Sequence, residues 1–265
     1  MKQWLFFLGV IIFLAGCGNN APTDKVEKGP YYSAELSKEG LKGRVKEVTI
    51  TTEENGKAMR VEIISFSPQG HKNRTIYRNQ NEPEKMINYD EKGRIKSQEE
   101  VGVEKIEYNY DEPANTFKVL RNGESFISGK LDPETKKISL HQESNLGYYF
   151  YYDKKGNEIT RETYQDNKIK MRISTFYDEK DREKVNEITL FWDEKGPINS
   201  KKEFTYQNDW VVEKKIVSTS PHESMLSFTY SYENLDSKEN WQKRITKNSE
   251  NKHELTDIRQ ITYYE

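Results

Sequence analysis

Apolar and polar side chains alternate along most of the chain after Tyr31. One stretch has Leu226, Phe228, Tyr230 and Tyr232 at every second position, with serine or threonine between them. A period of two is typical of a β-strand that packs one face and exposes the other to water. Only residues 33–41 have a pattern that favours a helix, and a short one. The chain is therefore predicted to be all-β.

A turn motif recurs between these stretches. It has an aromatic residue or leucine, then an aspartate, and in most copies a glycine three residues later, as in Tyr152-Asp153-Lys154-Lys155-Gly156. The copies open at positions 89, 110, 131, 152, 177 and 192, after a degenerate first copy at Phe66-Ser67, so three successive steps are 21 residues long. Such a regular period indicates a repeat architecture.

Each part of the motif has a role in a tight turn. The aspartate accepts a hydrogen bond from the amide two residues on, and the glycine adopts the positive φ that closes a type I hairpin with a bulge. Asp111-Glu112-Pro113 departs from this pattern and predicts a different turn. We predict an antiparallel meander of hairpin repeats that forms one twisted, curled or partly closed sheet. This sheet is a single domain over residues 31–265, with unpaired edge strands at its two ends.

The motif resembles the YD repeats of RHS proteins and, more loosely, MORN-like hairpin modules. The likeness covers residues 66–265 and rests on the tyrosine-aspartate-x-x-glycine core. In RHS proteins the repeats form a curved sheet that can close into a shell around a toxin. The resemblance implies a curved sheet here, although seven or eight copies leave no room for a cargo domain. The chain is also similar to small bacterial lipoproteins of unassigned function.

The amino terminus has the pattern of a secretory signal peptide over residues 1–16. Lys2 precedes an apolar run from Trp4 to Leu14, which is shorter than the roughly 20 residues that a bilayer-spanning helix needs. The run ends in Leu14-Ala15-Gly16-Cys17, which resembles the bacterial lipobox and contains the only cysteine of the chain. That resemblance implies cleavage before Cys17 and attachment of acyl chains to it.

Lipidation would place the mature protein at a membrane of the cell envelope. Each buried methylene contributes about 0.8 kcal/mol, so two or three acyl chains make release negligible. Gly18 stands where an aspartate would retain a lipoprotein at the inner membrane, so the resemblance implies the outer membrane in a Gram-negative cell. Residues 17–30 are polar and lack a period, which predicts a flexible tether. The alternative is a soluble secreted protein with an incidental cysteine.

Composition narrows the possible partners. Of the 265 residues 32% are charged and only 33% are hydrophobic, yet 12% are aromatic, which is unlike a disordered chain. The net charge is −2 with both signs interspersed. A general nucleic-acid binder would instead carry a basic surface, so we expect no nucleic-acid partner.

One aromatic strand is the best candidate for a binding surface. Residues 148–152 are all aromatic, and alternation places Tyr149 and Tyr151 on the second face of the sheet. The equivalent positions in later repeats are Phe176 and Phe191, whereas early repeats have polar residues there. These four residues are the candidate ligand-binding surface. The alternative is that the sheet curls there, or that a terminal segment covers these side chains.

No pattern of catalytic or metal-binding residues stands out. The repeated aspartates offer one carboxylate per turn, which favours turn capping over a calcium site. The four histidines have no zinc-ligand spacing, and the single cysteine is assigned to lipid. Nucleophile-elbow, phosphate-loop and dinucleotide motifs are missing from the sequence. We expect no cofactor, no metal and no enzymatic activity.

The function predicted from these features is a membrane-anchored, non-catalytic module that binds a protein or a glycan of the cell envelope. Repeat proteins commonly present long surfaces to partners in this way. The alternative is a structural spacer, or an immunity-type partner that neutralises a toxin by masking it. A small hydrolase is a third hypothesis, without a motif to support it.

The lipobox predicts a specific covalent product. Mass spectrometry of the membrane-extracted protein should find a chain that begins at Cys17 and carries the added mass of acyl groups. Material that still carries the unmodified leader would contradict the prediction.

Overall fold

The computed structural model describes residues 36, 39–143, 145–192, 196–218, 223–250 and 254–265. The predicted signal peptide, Cys17 and the tether lie outside these ranges. So does most of the predicted helix, of which Leu36 and residues 39–41 are described. Within the described ranges, no helix has both the length and the apolar character needed to cross a bilayer.

The described chain is built from 18 β-strands. The first nine are β1 Val45–Glu54, β2 Lys57–Phe66, β3 Lys72–Asn79, β4 Lys85–Tyr89, β5 Ile95–Glu100, β6 Glu104–Asp111, β7 Thr116–Arg121, β8 Glu124–Leu131 and β9 Ile138–Glu143. The others are β10 Leu146–Tyr152, β11 Glu158–Gln165, β12 Lys168–Tyr177, β13 Glu183–Trp192, β14 Gly196–Gln207, β15 Trp210–Ser218, β16 Ser224–Leu235, β17 Trp241–Asn248 and β18 Glu254–Tyr263.

Every strand pairs with the next in antiparallel orientation, which confirms the predicted all-β meander. The first strand also pairs with the last, with Val48 opposite Ile261 and Thr52 opposite Asp257. The sheet therefore closes into a barrel. The expectation of a partly closed sheet with free edges was wrong, because β1 and β18 satisfy each other's backbone groups and leave no edge strand in the described sheet.

The aspartate turns have the predicted geometry. In the turn after β10, Asp153 Oδ1 accepts the amides of Lys155 and Asn157, both at 2.8 Å, and Gly156 has a φ of 81°. Asp90, Asp178 and Asp236 form the same pair of bonds in their own turns. The sequence motif did not predict the turn at Asp236, because Glu239 has the positive φ there in place of a glycine.

A β-bulge follows most of these turns, and a tyrosine of the next hairpin binds beside it. In β11 the extra residue is Ile159, because Tyr151 pairs with Thr160 and Tyr152 pairs with Glu158. The Tyr177 hydroxyl donates to the carbonyl of Glu158, just before that bulge, at 2.9 Å. We call this contact the tyrosine latch. Its five members are Tyr110 to Ile95, Tyr152 to Ile138, Tyr177 to Glu158, Tyr206 to Glu183 and Tyr232 to Val211.

Most of the buried residues lie on one face of the sheet, which is the inner face of the barrel. One cluster joins β1 and β2 to the segment that precedes them, with Val48, Ile64 and Phe66 against Leu36 and Leu41. The Leu41 amide donates to the Leu36 carbonyl at 2.8 Å and Gly40 has a φ of 62°, which is the geometry of a helix C-cap. A second cluster lies between β6 and β9 and is centred on Phe117 and Val119.

Asn240 ties the entering chain to the seam of the barrel. Its side chain is fully buried, accepts the Lys42 amide at 2.7 Å and donates to the Lys42 carbonyl at 2.9 Å. It also donates to the Tyr263 hydroxyl at 2.7 Å. This contact joins the segment before β1 to the turn before β17 and to β18, so it supports the closure.

The tyrosine latch predicts a stability effect. Tyr177→Phe removes the hydroxyl and leaves the Glu158 carbonyl without that donor, so we expect a loss of about 1–2 kcal/mol in the free energy of unfolding. Tyr149→Phe is the matched control, since Tyr149 is exposed and its hydroxyl lies outside the latch. Denaturant unfolding measures both. Equal stabilities for the two variants would contradict the latch.

His141 predicts an acid sensitivity. It is buried on the inner face between Phe117 and Tyr148, and burial lowers its pKa from 6.5 to about 4. The unfolded chain therefore binds the proton more readily between pH 6.5 and 4, and stability falls as the pH drops through this window. The full loss is about 3 kcal/mol. Unfolding free energies at pH 7 and pH 4 should differ less for His141→Gln than for the wild type; an unchanged difference would refute the assignment.

Candidate functional site

The central strand of the candidate surface presents its two faces as predicted. Phe150 points inward and is 4% exposed, whereas Tyr149 and Tyr151 point outward and are 38% and 47% exposed. Both rings are therefore accessible on the outward face of the barrel. None of the described segments covers them.

A buried carboxylate lies at the centre of this aromatic surface. Glu162 of β11 is opposite Tyr149 on one side and Arg172 on the other. Although it points outward, it is only 8% exposed. One carboxylate oxygen accepts Arg172 Nε at 2.8 Å, and the other accepts the hydroxyls of Tyr164 at 3.1 Å and Tyr151 at 3.5 Å. The carboxylate therefore orients two tyrosines and an arginine.

The ring of Tyr149 is held by its neighbours. It packs edge-on against Tyr164, with 5.2 Å between the ring centroids. Gly147 leaves room for it, since a Cβ at that position would lie 3.3 Å from the Tyr149 ring. The set of Tyr149, Tyr151, Tyr164, Glu162 and Arg172 is called the tyrosine site below.

The electrostatics keep the tyrosines protonated. Burial and the nearby negative charge of Glu162 both raise the pKa of Tyr151 above 10. The same two causes raise the pKa of Tyr164. Both hydroxyls therefore remain donors to Glu162 at any physiological pH. Arg172 keeps about half of its side chain exposed, so its guanidinium is accessible beside the rings.

The other two predicted residues lie elsewhere on the outer face. Phe176 is 51% exposed and pairs with Val185 near one end of the β12–β13 hairpin. Phe191 is half-buried and pairs with Pro197 near the other end. Val185 and Phe191 are six residue steps apart on β13, which is about 20 Å of strand. The four aromatic residues therefore do not form one continuous surface.

Sequence reasoning missed three members of the site, which are Tyr164, Glu162 and Arg172. Their positions follow from hairpin register: Asp166 and Asn167 form the turn after β11, which places Glu162 across from Arg172. A bulge at Lys170 shifts this register by one residue, so counting outward from the predicted turn alone would have paired Glu162 with Met171. The alternation of charged residues along β11 and β12 carries no such signal by itself.

Metal binding has no support in the described part of the chain, where no group of three or more histidine, cysteine, aspartate or glutamate side chains could hold an ion. The repeated aspartates act in their turns. Asp178, for example, accepts two amides and pairs with Arg182 at 2.6 Å, and these bonds outweigh its burial and lower its pKa.

The fold and the site define a class: a closed antiparallel β-barrel of hairpin repeats with an aromatic and carboxylate cluster on its outer wall. No family model and no curated protein matches the chain.

Three solved structures are similar in part. A porin-like protein from Bacteroides uniformis has a TM-score of 0.46 at 10% identity, over 82% of this chain and 96% of that one. One from Bacteroides vulgatus has a TM-score of 0.36 at 9% identity, over 83% and 98%. A TcdB2-TccC3-Cdc42 structure has a TM-score of 0.29 at 12% identity, over 76% of this chain and 12% of that one. These scores are too low to establish a shared fold.

Proposed function

We propose that the chain is a lipid-anchored binding protein of the cell envelope that recognises a glycan at the tyrosine site. The anchor is Cys17, within the lipobox-like Leu14–Cys17, and Gly18 favours an outer-membrane destination if the cell is Gram-negative. The observation that carries the proposal is the pair of exposed rings, Tyr149 and Tyr151, beside a carboxylate and a guanidinium that are already oriented.

The outer wall supports attachment by a lipid anchor. A strand that faces lipid loses about 2–4 kcal/mol for each lysine or arginine at the bilayer midplane. Here the outward positions carry ion pairs such as Lys201 with Glu203 at 2.8 Å and Lys105 with Glu107 at 2.7 Å. A wall of this composition favours contact with water, so the anchor accounts for membrane attachment.

The size of the site favours a glycan over a protein. A stable protein interface buries about 800 Å² on each partner, commonly around a cluster of apolar anchors. Phe176 and Phe191 lie apart from the tyrosine site, so the aromatic surface does not reach that extent. Two exposed rings match the footprint of one or two sugar units.

The chemistry of the site also suits a sugar. Tyrosine rings offer a flat apolar face with a polar edge, which complements the C–H face and hydroxyl rim of a pyranose. Arg172 adds hydrogen-bond donors at the edge of the platform. Because Glu162 already accepts Arg172, Tyr151 and Tyr164, the ligand would meet side chains fixed in position, which reduces the entropy lost on binding.

The proposal is tested by glycan binding of the mature lipoprotein in detergent. An array of envelope glycans should retain the wild type, and Tyr149→Ala combined with Tyr151→Ala should weaken binding of the best glycan at least tenfold. Phe176→Ala is the matched control, an exposed aromatic residue outside the site, and should bind as the wild type does. Melting temperatures should stay close to the wild-type value, since all three rings are exposed.

Two results would contradict this function. A large loss of stability in the double variant would assign the tyrosines to the core. Retention of one stoichiometric envelope protein, with no glycan bound, would favour the interaction or toxin-neutralising alternative instead.

A further inference from the structure

The inner face of the barrel changes character between β12 and β16. At the centres of the two core clusters the inward apolar side chains are buried, with Phe117 and Val48 at 1% and 0% exposure. On the inner wall of β12–β16, six aliphatic side chains are instead half-buried. These residues are Ile173, Ile188, Leu190, Ile198, Ile216 and Leu226, and the term inner apolar wall refers to this set. Solvent therefore reaches an apolar surface inside the barrel.

Two lysines point inward from the same wall. Lys202 of β14 lies opposite Ile216, and Lys214 of β15 lies between Phe204 and Phe228 in the ladder. The two positions are diagonal neighbours on adjacent strands, which puts them about 7–8 Å apart. The Nζ of Lys214 lies 4.3 Å from the centroid of the Phe228 ring. A pair of cations thus adjoins the inner apolar wall.

Lys214 lacks an anionic partner among the described residues. Its pKa is lowered by burial and further by the positive charges of Lys202 and Arg244. Arg244 is itself paired with Asp257 at 2.7 Å, and the positive charge of Lys202 opposes the rise that burial causes in the pKa of Glu183. A half-buried ammonium group without a counter-ion is unfavourable, so an anion at this position would be stabilised.

We propose that the inner apolar wall, together with Lys202 and Lys214, binds a long-chain fatty acid. The acyl chain would lie against the aliphatic side chains and the carboxylate would contact the two lysines. Charge complementarity selects an anionic head group, and the half-buried aliphatic side chains select a long apolar tail. This site lies on the opposite face of the sheet from the tyrosine site and does not depend on the glycan proposal.

The test uses the mature-length chain with Cys17→Ser, produced without its leader, so that detergent is not needed. The barrel closes within residues 45–263, and the substitution lies outside it. The fluorescence of cis-parinarate, a fatty acid that becomes emissive in an apolar site, reports binding. Oleate should displace it at least tenfold more effectively than oleyl alcohol or oleylamine, because only oleate carries the negative head group.

A matched pair of variants locates the head group. Lys214→Gln should weaken oleate binding about tenfold and leave the alcohol unchanged. Lys215→Gln is the control, since Lys215 is the next residue, points outward and pairs with Glu213 at 3.3 Å. It should bind oleate as the parent chain does. The melting temperature of Lys214→Gln should not fall, because an unpaired charge is removed, and this separates lost binding from misfolding.

Several outcomes would overturn the proposal. These are no parinarate fluorescence, equal displacement by oleate and oleylamine, or the same oleate affinity in the Lys214 and Lys215 variants. Stronger displacement by oleyl phosphate than by oleate would replace the carboxylate with a phosphate head group.

Discussion

The structure depends on the bond from a tyrosine hydroxyl to the carbonyl beside the bulge of the preceding hairpin. A bulge interrupts the ladder and leaves backbone groups to be satisfied in another way. Tyr110, Tyr152 and Tyr177 each supply a donor at such a point. Because each of these three tyrosines stands directly before an aspartate, its repeat both forms a turn and stabilises the hairpin before it. This gives the tyrosine-aspartate motif a physical meaning.

A series of nearest-neighbour contacts would by itself leave two ends exposed, and the closure of the barrel removes them. β1 pairs with β18, and Asn240 holds the backbone of Lys42 at that seam. The segment with Leu36 and Leu41 fills the inner face beside the same seam. The part of the chain nearest the predicted anchor is thus joined directly to the strands that close the wall.

Closure also gives every strand an inner and an outer side, so consecutive residues serve different purposes. Phe150 packs inside while Tyr149 and Tyr151 belong to the outer tyrosine site. Lys214 points into the barrel while Lys215 forms an ion pair outside. The two proposed binding surfaces therefore lie on opposite faces of the sheet. Variants of adjacent residues on one strand change one face and leave the other unchanged.

The sequence by itself determined the strands, the aspartate turns and the separation of the two faces around Tyr149. These features are local: the bonds of Asp153 reach no further than Asn157, and strand alternation follows from backbone geometry. The tertiary structure alone decided the closure, the burial of Glu162 among tyrosines and the distance between Phe176 and Phe191. Closure depends on the twist and stagger summed over all strands, and lateral neighbours depend on register. A local pattern does not encode either quantity.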